Sequence, residues 1–169
     1  IGEHNCLFVD FKKVFEDGFV TRNGDVRSPG SFSSACQQTA VVFQCQSQVQ
    51  FGGVGTVHID YDLAPYVTKS FRKKIAQYYT DVEGLTEEDA EIIIKAKFEP
   101  CVIDNEEIKD TPAYRFAMKQ IERDGFQAAE AMFHNLNTLE SRAGSQVPFT
   151  SINFGRDMST EGRFVSRNM

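Results

Sequence analysis

The 169-residue chain has no tryptophan and no apolar run close to the roughly 18 residues needed to span a bilayer. Nothing in it resembles a secretion signal, so we expect a cytoplasmic protein without membrane contacts. Positive charge is also scarce, since 18 Lys and Arg against 24 Asp and Glu leave a net charge of −6. Nucleic-acid binding generally needs a basic face, and this composition argues against it.

The four cysteines form no CxxC pair and no His–Cys spacing typical of a zinc site, so we expect reduced thiols and no metal in this chain. Cys36 and Cys45 are nine residues apart in one predicted helix and face different ways, which favours packing roles for both. Cys101, after Pro100, is predicted to be a loop or edge thiol. Cys6 precedes a short apolar segment.

A chain of this length can form one domain with a proper core. We find no internal repeat or boundary and predict a single unit over residues 1–169. The sequence begins at Ile1 rather than Met and has the character of an excerpt, so we expect part of a longer catalytic domain.

The first half of the chain alternates strand and helix patterns. Residues 6–11 (CLFVDF) predict a strand buried on both faces, and Asn23-Gly24 predicts a hairpin. Residues 31–53 predict a helix capped by Ser33 or Ser34 and stopped by Gly52-Gly53. A strand over 56–59 and a loop ending at Pro65 are expected next.

The second half is predicted to be mainly helical. Helices are expected over 66–81, over 85–98 with Thr86 as N-cap, and over 110–139 with an unexplained Gly125 inside. A β-prone run follows at 147–155. Strands alternating with helices predict an α/β fold with some parallel pairing.

Cys6 has two interpretations. Free cysteine is among the most buried residue types, so composition alone favours inert packing. A catalytic role requires an exposed strand end and a radical or thiol partner. His58 and His134 are each interpreted as structural histidines rather than ligands or bases.

The residues alone do not decide the function of two polar features. The basic cluster KSFRKK (69–74) is able to hold a phosphate through charge-assisted hydrogen bonds, although such clusters are more often solvated surface. The glutamine-rich helix over 31–53 indicates an interface, an amide-reading site or merely a polar face. The chain has no Walker loop and no GxGxxG or GxSxG motif.

Three stretches, in this order, resemble the catalytic subunit of anaerobic (class III) ribonucleoside-triphosphate reductases. They are HNCLFVDFKKVFEDGFV (4–20), SPGSFSSACQQTAVVFQCQSQVQFGGVGTVHIDYDLAPYVTKSF (28–71) and NTLESRAGSQVPFTSINFGRDMSTEGR (137–163). The resemblance covers most of the chain and leaves mainly the acidic stretch 81–136 without a motif.

The resemblance implies a segment of a ten-stranded α/β barrel that reduces ribonucleoside triphosphates to deoxyribonucleoside triphosphates. It implies a glycyl radical, installed by an S-adenosylmethionine/iron-sulfur activase, that passes to a cysteine thiyl, with formate or a dithiol protein as reductant. Cys6 matches an active-site cysteine that delivers hydrogen and helps protonate the leaving hydroxyl. Many family members have a second Cys next, where this chain has Leu7.

The resemblance also implies a homodimer with an allosteric site for dNTP or ATP effectors at its interface. Lys73 matches an effector-phosphate lysine, and Arg72 is adjacent to it. The radical glycine, the thiyl cysteine and a C-terminal zinc module are expected outside this segment, which is therefore expected to be inactive alone.

Two alternatives remain. A pyruvate-formate-lyase-like glycyl radical enzyme would have adjacent catalytic cysteines in a later loop. A stand-alone nucleotide-binding or dimerisation module would keep the scaffold without the chemistry.

Overall fold

The computed structural model describes residues 5–21, 24–142 and 144–169. Its strands are β1 (Leu7–Phe8), β2 (Phe19–Thr21), β3 (Gly24–Val26), β4 (Val54–Thr56) and β5 (Thr150–Ile152). Its helices are α1 (Phe11–Asp17), α2 (Phe32–Ser47), α3 (Ile59–Gln77), α4 (Glu87–Lys97), α5 (Pro112–Thr138) and α6 (Thr160–Asn168). A π-helical turn, Tyr78–Val82, extends α3.

The described strands form two sheets. Strands β1, β4 and β5 make a parallel sheet with β4 in the middle, and β2 pairs antiparallel with β3. The α/β class and the parallel pairing are thus confirmed. The predicted hairpin is present too, with Val20 opposite Asp25, while Asn23 lies outside the described residues.

The first strand is shorter than predicted, with Leu7 partly buried on one face and Phe8 exposed on the other. Asp10 accepts a hydrogen bond from the Lys13 amide at 3.3 Å and caps α1, so the chain turns into a helix at Phe11. Phe11 is fully buried in that helix, whereas Phe8 in the strand is 59% exposed. The prediction of a strand buried on both faces was wrong.

Helix α2 also differs from its prediction at both ends. Ser31, rather than Ser33 or Ser34, is the N-cap, and its hydroxyl accepts from the Ser34 amide at 3.2 Å. The helix ends at Ser47, five residues before Gly52. The two glycines instead contact the segment that contains β1. Gly52 packs against the Asn5 backbone, and the Gly53 carbonyl accepts a hydrogen bond from the Leu7 amide.

The strand predicted over 56–59 lies earlier, at Val54–Thr56, and helix α3 replaces the loop predicted before Pro65. Strand β4 ends at Thr56, and α3 begins at Ile59 and contains Pro65. Four residues at helical spacing, Leu63, Val67, Phe71 and Ile75, are completely buried on both sides of this proline. Burial of this apolar stripe offsets the hydrogen bond that Pro65 cannot donate.

The later helices follow the prediction more closely. Thr86 caps α4 and Thr111 caps α5, as side-chain acceptors for Asp89 and Tyr114 amides respectively. Glycine is required at position 125 of α5, because a Cβ there would be 2.5 Å from Cζ of Phe164 in α6. Helix α6 itself was not predicted.

One face of the parallel sheet is covered by the helices and the other is open. Val54 and Thr56 are buried, and Val9 and Ile152 pack against the hydrophobic core. Phe8 and Ser151, on the strands beside β4, are exposed. No helix in the described ranges is both long and apolar enough to cross a membrane.

Candidate active site

Cys6 is an exposed thiol at the start of β1. The Leu7 amide donates to the Gly53 carbonyl at 3.1 Å, and this bond begins the parallel pairing of β1 with β4. Because side chains alternate along a strand, Cys6 shares its face with Phe8, on the open side of the sheet. The exposed strand end that a catalytic role required is therefore present.

Gly52 and Gly55 allow the backbone segments around Cys6 to approach closely. A Cβ on Gly52 would overlap the Asn5 carbonyl and lie 3.0 Å from Sγ of Cys6. A Cβ on Gly55 would lie 2.9 Å from the Phe8 ring and 3.0 Å from the Ser151 carbonyl. Glycine at both positions permits this close approach, and Gly55 leaves space for the Phe8 ring on the open face.

The open face forms a groove of about 490 Å³ with Cys6 in its lining. This volume falls within the roughly 300–1,000 Å³ of small-molecule sites. The groove is lined by Cys6, Leu7, Phe8, Gly53, Val54, Gly55, Asn137, Pro148, Phe149, Thr150 and Ser151. It thus joins residues from all three stretches that carry the family resemblance.

Arg142 fixes the loop at one end of this groove. Its guanidinium lies 4.4 Å from the centre of the Phe149 ring, and its Nη2 donates to the Phe51 carbonyl at 2.5 Å. The residue therefore connects the segment before β4 with the segment before β5. Both segments contribute to the surface around Cys6.

The other three cysteines lie in different environments. Cys36 is buried in α2, and burial raises its pKa to about 12, as expected for a packing residue. Burial also raises the pKa of Cys101, which lies in the loop between α4 and α5, as predicted, but is only 1% exposed. Cys45 is exposed on α2, contrary to its predicted packing role. Cys6 is distinguished from Cys45 by its place in a groove.

Lys73 lies in a separate cleft of about 290 Å³ between α2, α3, α5 and α6. Its Nζ would be 3.2 Å from a Cβ placed on Gly30, near the start of α2. The polar residues of this cleft are Ser31, Ser33, Ser70, Lys73, Lys74, Gln77 and Asp124. Lys74 is paired with Asp124 at 2.8 Å, whereas the described residues place no carboxylate in an ion pair with Lys73.

Arg72 is not brought together with Lys73. Its guanidinium forms ion pairs with Glu91 of α4 and with Glu99, and lies 3.8 Å from Sγ of Cys101. It therefore anchors the acidic stretch that follows α3, and its charge is already offset by two carboxylates. Its predicted phosphate contact stays a prediction.

Two buried carboxylates in the first turn of α3 escaped the sequence analysis. Burial alone would raise the pKa of Asp60, but backbone N–H donors from residues 155–157 bring it below its ordinary value. Burial raises the pKa of Asp62 to about 6, although His58 lies 3.3 Å from it. The sequence did contain a signal for them, since Asp60 and Asp62 follow β4 closely and lie next to His58.

The described part of the chain contains no group of three or more His, Cys, Asp or Glu side chains placed to hold a metal ion.

Comparison with known proteins agrees with the resemblance. The family model described as anaerobic ribonucleoside-triphosphate reductase matches residues 1–169. The chain is 31% identical over 166 residues to the anaerobic ribonucleoside-triphosphate reductase of Enterobacteria phage T4, covering 96% of this chain and 22% of that protein.

Bacterial relatives of the same name are similar at lower identity. Identity is 27% over 166 residues with the Salmonella typhimurium protein and 26% over 170 residues with that of Escherichia coli. Each alignment covers 98% of this chain and 19% of the relative, so the chain spans about a fifth of the length of these proteins. Because the family model covers every residue of the chain, the protein belongs to the anaerobic ribonucleoside-triphosphate reductase family.

Proposed function

We propose that this segment is part of an enzyme that reduces ribonucleoside triphosphates to deoxyribonucleoside triphosphates, with Cys6 as an active-site thiol. The observation that carries the proposal is the exposed Cys6 in the open-face groove of a parallel sheet, in a chain that the family model matches throughout. The open sheet face is the side that would line the interior of the proposed ten-stranded barrel.

In the proposed reaction the ribose 2′-hydroxyl leaves as water and hydrogen takes its place. The two electrons come from formate, which is oxidised to carbon dioxide, or from a dithiol protein, which is oxidised to a disulfide. Cys6 supplies hydrogen at the 2′ carbon and helps protonate the leaving hydroxyl, two tasks that suit an S–H group. Between the two transfers its S–H hydrogen is restored from the reductant and solvent. Its position in an open groove of about 490 Å³ leaves room for a ribose.

The remaining parts of this chemistry belong to the complete protein. A glycyl radical, installed by a radical S-adenosylmethionine activase with an iron-sulfur cluster, supplies the unpaired electron. The radical glycine, a thiyl cysteine and a C-terminal zinc module are assigned to other segments. The family match favours this scheme over the pyruvate-formate-lyase-like alternative.

We also propose that Lys73 binds the phosphates of a dNTP or ATP effector in a cytoplasmic homodimer. Three serines, Ser31, Ser33 and Ser70, share its cleft and provide hydroxyl donors. The start of α2 lies in the same cleft, where the Phe32 and Ser34 amides already donate to Ser70 and Ser31, so the helix dipole rather than these N–H groups would favour an anion. Arg72 fixes α4 and the segment around Glu99 outside the cleft of Lys73, and direct contact with phosphate is its alternative role.

The test is an anaerobic assay of the complete protein with its activase, a ribonucleoside triphosphate and either formate or a dithiol protein. Deoxyribonucleotide production is expected with one reductant. A glycyl radical that forms without any deoxyribonucleotide product, with both reductants, would contradict the reductase proposal. Effector binding without radical formation or turnover would instead favour the stand-alone module.

A further inference from the structure

Asp60 is a fully buried carboxylate that holds a turn of the backbone. Its Oδ2 accepts hydrogen bonds from three consecutive amides: Gly155 at 2.9 Å, Arg156 at 2.7 Å and Asp157 at 2.7 Å. Charge-assisted hydrogen bonds of this kind are roughly twice as strong as neutral ones. The turn that they hold follows β5 directly.

Other hydrogen bonds join the same two segments. The Asn153 amide donates to the Thr56 carbonyl at 3.2 Å, and the Ile59 amide donates to the Asn153 carbonyl at 3.1 Å. The Tyr61 hydroxyl donates to the Arg156 carbonyl at 3.1 Å. The beginning of α3 therefore fixes the carboxyl end of β5.

This anchor matters because β5 is a short strand paired on one side only in the described sheet. It spans three residues, all paired with β4. Thr150 and Ser151 of this strand line the groove that contains Cys6. Displacement of β5 would therefore change the width of the groove.

The use of a carboxylate here is costly for stability. Removing a carboxylate from water costs several kcal/mol, and a well-packed apolar residue is often at least as stabilising. An apolar side chain, however, cannot accept three amides and hold the turn in one position. Positional precision is the property that Asp60 adds.

We propose that Asp60 is a positioning residue of the Cys6 groove, which acts through residues 155–157 to hold β5. The proposal rests on the proposed function for the identity of the bound ligand, a ribonucleoside triphosphate. Asp60 itself lies beneath the turn and does not contact the ligand. Its effect is on how well the groove holds substrate near Cys6.

The experiment compares Asp60→Ala and Asp60→Asn in the complete protein, with hydrogen exchange and steady-state kinetics. Exchange at amides 155–157 is expected to rise by at least about tenfold in Asp60→Ala, and KM for the ribonucleotide by on the order of tenfold. Asp60→Asn should give smaller changes in both, because its amide oxygen still accepts hydrogen bonds. Radical content should equal that of wild type.

Asp62→Asn is the matched control, since Asp62 is a buried carboxylate of the same helical turn without a hydrogen bond to residues 155–157. It should leave KM and the exchange of these amides near wild type. Unchanged exchange of amides 155–157 in both Asp60→Asn and Asp60→Ala would show that Asp60 does not hold this turn. Raised exchange with wild-type KM would overturn its role in the groove.

Failure of the proposed function is distinguishable from failure of this inference. If the wild-type protein makes no deoxyribonucleotide, alkylation of Cys6 by a maleimide replaces KM as the readout of the groove. The exposed Cys45 serves as the internal reference. A ratio of Cys6 to Cys45 alkylation rates that differs between wild type and the Asp60 variants supports the inference. A ratio that is the same in all of them overturns it. If Asp60→Ala does not fold, Asp60→Asn decides the outcome.

Discussion

Gly52 packs directly against the backbone of Asn5, so closely that a Cβ on Gly52 would overlap the Asn5 carbonyl oxygen. The same Cβ would lie 3.0 Å from Sγ of Cys6. Gly52 is thus a packing requirement of the segment that carries the candidate thiol. This contact connects QFGG, a motif of the family resemblance, to the position of Cys6.

Gly52→Ala should therefore displace Cys6 without altering any reactive group. A misplacement of about 1 Å in an active site costs on the order of 100-fold in rate, and we expect a loss approaching this size in the complete protein. Deoxyribonucleotide production per glycyl radical is the measurement. Gly53→Ala should lower the rate much less, because the nearest neighbour of its new Cβ would be the Phe149 carbonyl oxygen at 3.3 Å. Equal effects of the two substitutions would contradict the packing argument.

Cys6→Ser should abolish deoxyribonucleotide production while the glycyl radical still forms. A serine hydroxyl has nearly the same size but a much stronger bond to hydrogen, so it cannot take part in hydrogen-atom exchange. Product formation and the radical signal, measured in the same sample, separate these effects. Cys45→Ser is the control for loss of an exposed thiol and should retain activity. Retained turnover in Cys6→Ser would remove the residue from the mechanism.

The sequence predicted the elements that depend on local signals and missed those that depend on packing. Thr86, the predicted N-cap, caps α4, and Thr111, which was not predicted as a cap, does the same for α5. Pro65 suggested a loop, but the buried stripe on both sides of it keeps α3 continuous. The role of Gly125 was invisible because its partner, Phe164, is 39 residues away in an unpredicted helix.

The candidate site was only partly accessible to sequence reasoning for a similar reason. Composition favoured a packing role for Cys6, and only the family resemblance suggested otherwise. Asp60 gave no sign of its role, since its three donors lie about 95 residues further along the chain. Adjacency in sequence also suggested a shared site for Arg72 and Lys73 that the structure does not form. Arg72 pairs with Glu91, whereas Lys73 lies near Gly30.

Lys73→Ala should weaken the effector response more than basal activity. Loss of one charge-assisted hydrogen bond costs about 1.5–3 kcal/mol, so the half-maximal effector concentration should rise by about tenfold or more. Effector titrations of substrate choice and direct effector binding provide the measurement. Arg72→Ala distinguishes the roles of the two basic residues. We expect α4 to be less stable in this variant, because its ion pair with Glu91 is lost, while effector affinity stays near normal. An effector affinity unchanged in Lys73→Ala would remove this lysine from the site.

Gly125→Ala should destabilise the protein although alanine favours helices. The substitution gains about 1 kcal/mol in helix propensity, but overpacking costs about 1–3 kcal/mol because the new methyl group meets the buried Phe164 ring. Thermal unfolding of the complete protein tests the sign. Adding Phe164→Leu, which shortens the opposing side chain, should recover part of the loss. A more stable single variant would contradict the tight contact between α5 and α6.

Asp62 should make stability fall as pH rises through a defined window. Burial raises the pKa of Asp62 from 3.8 to about 6, with His58 opposing the shift and Asp10 and Asp60 adding to it. Between these two values the folded protein holds a proton that the unfolded chain has released, so rising pH favours unfolding. Asp62→Asn cannot titrate and lacks this dependence.

The Tm of wild type minus that of Asp62→Asn, measured on the complete protein, should therefore be greatest at or below pH 3.8 and decline until about pH 6. Substituting His58→Gln removes the group that lowers the pKa of Asp62, and the decline should extend to higher pH. A Tm difference that is constant over this range, or one that grows with pH, would show that Asp62 does not hold the proton in the folded protein.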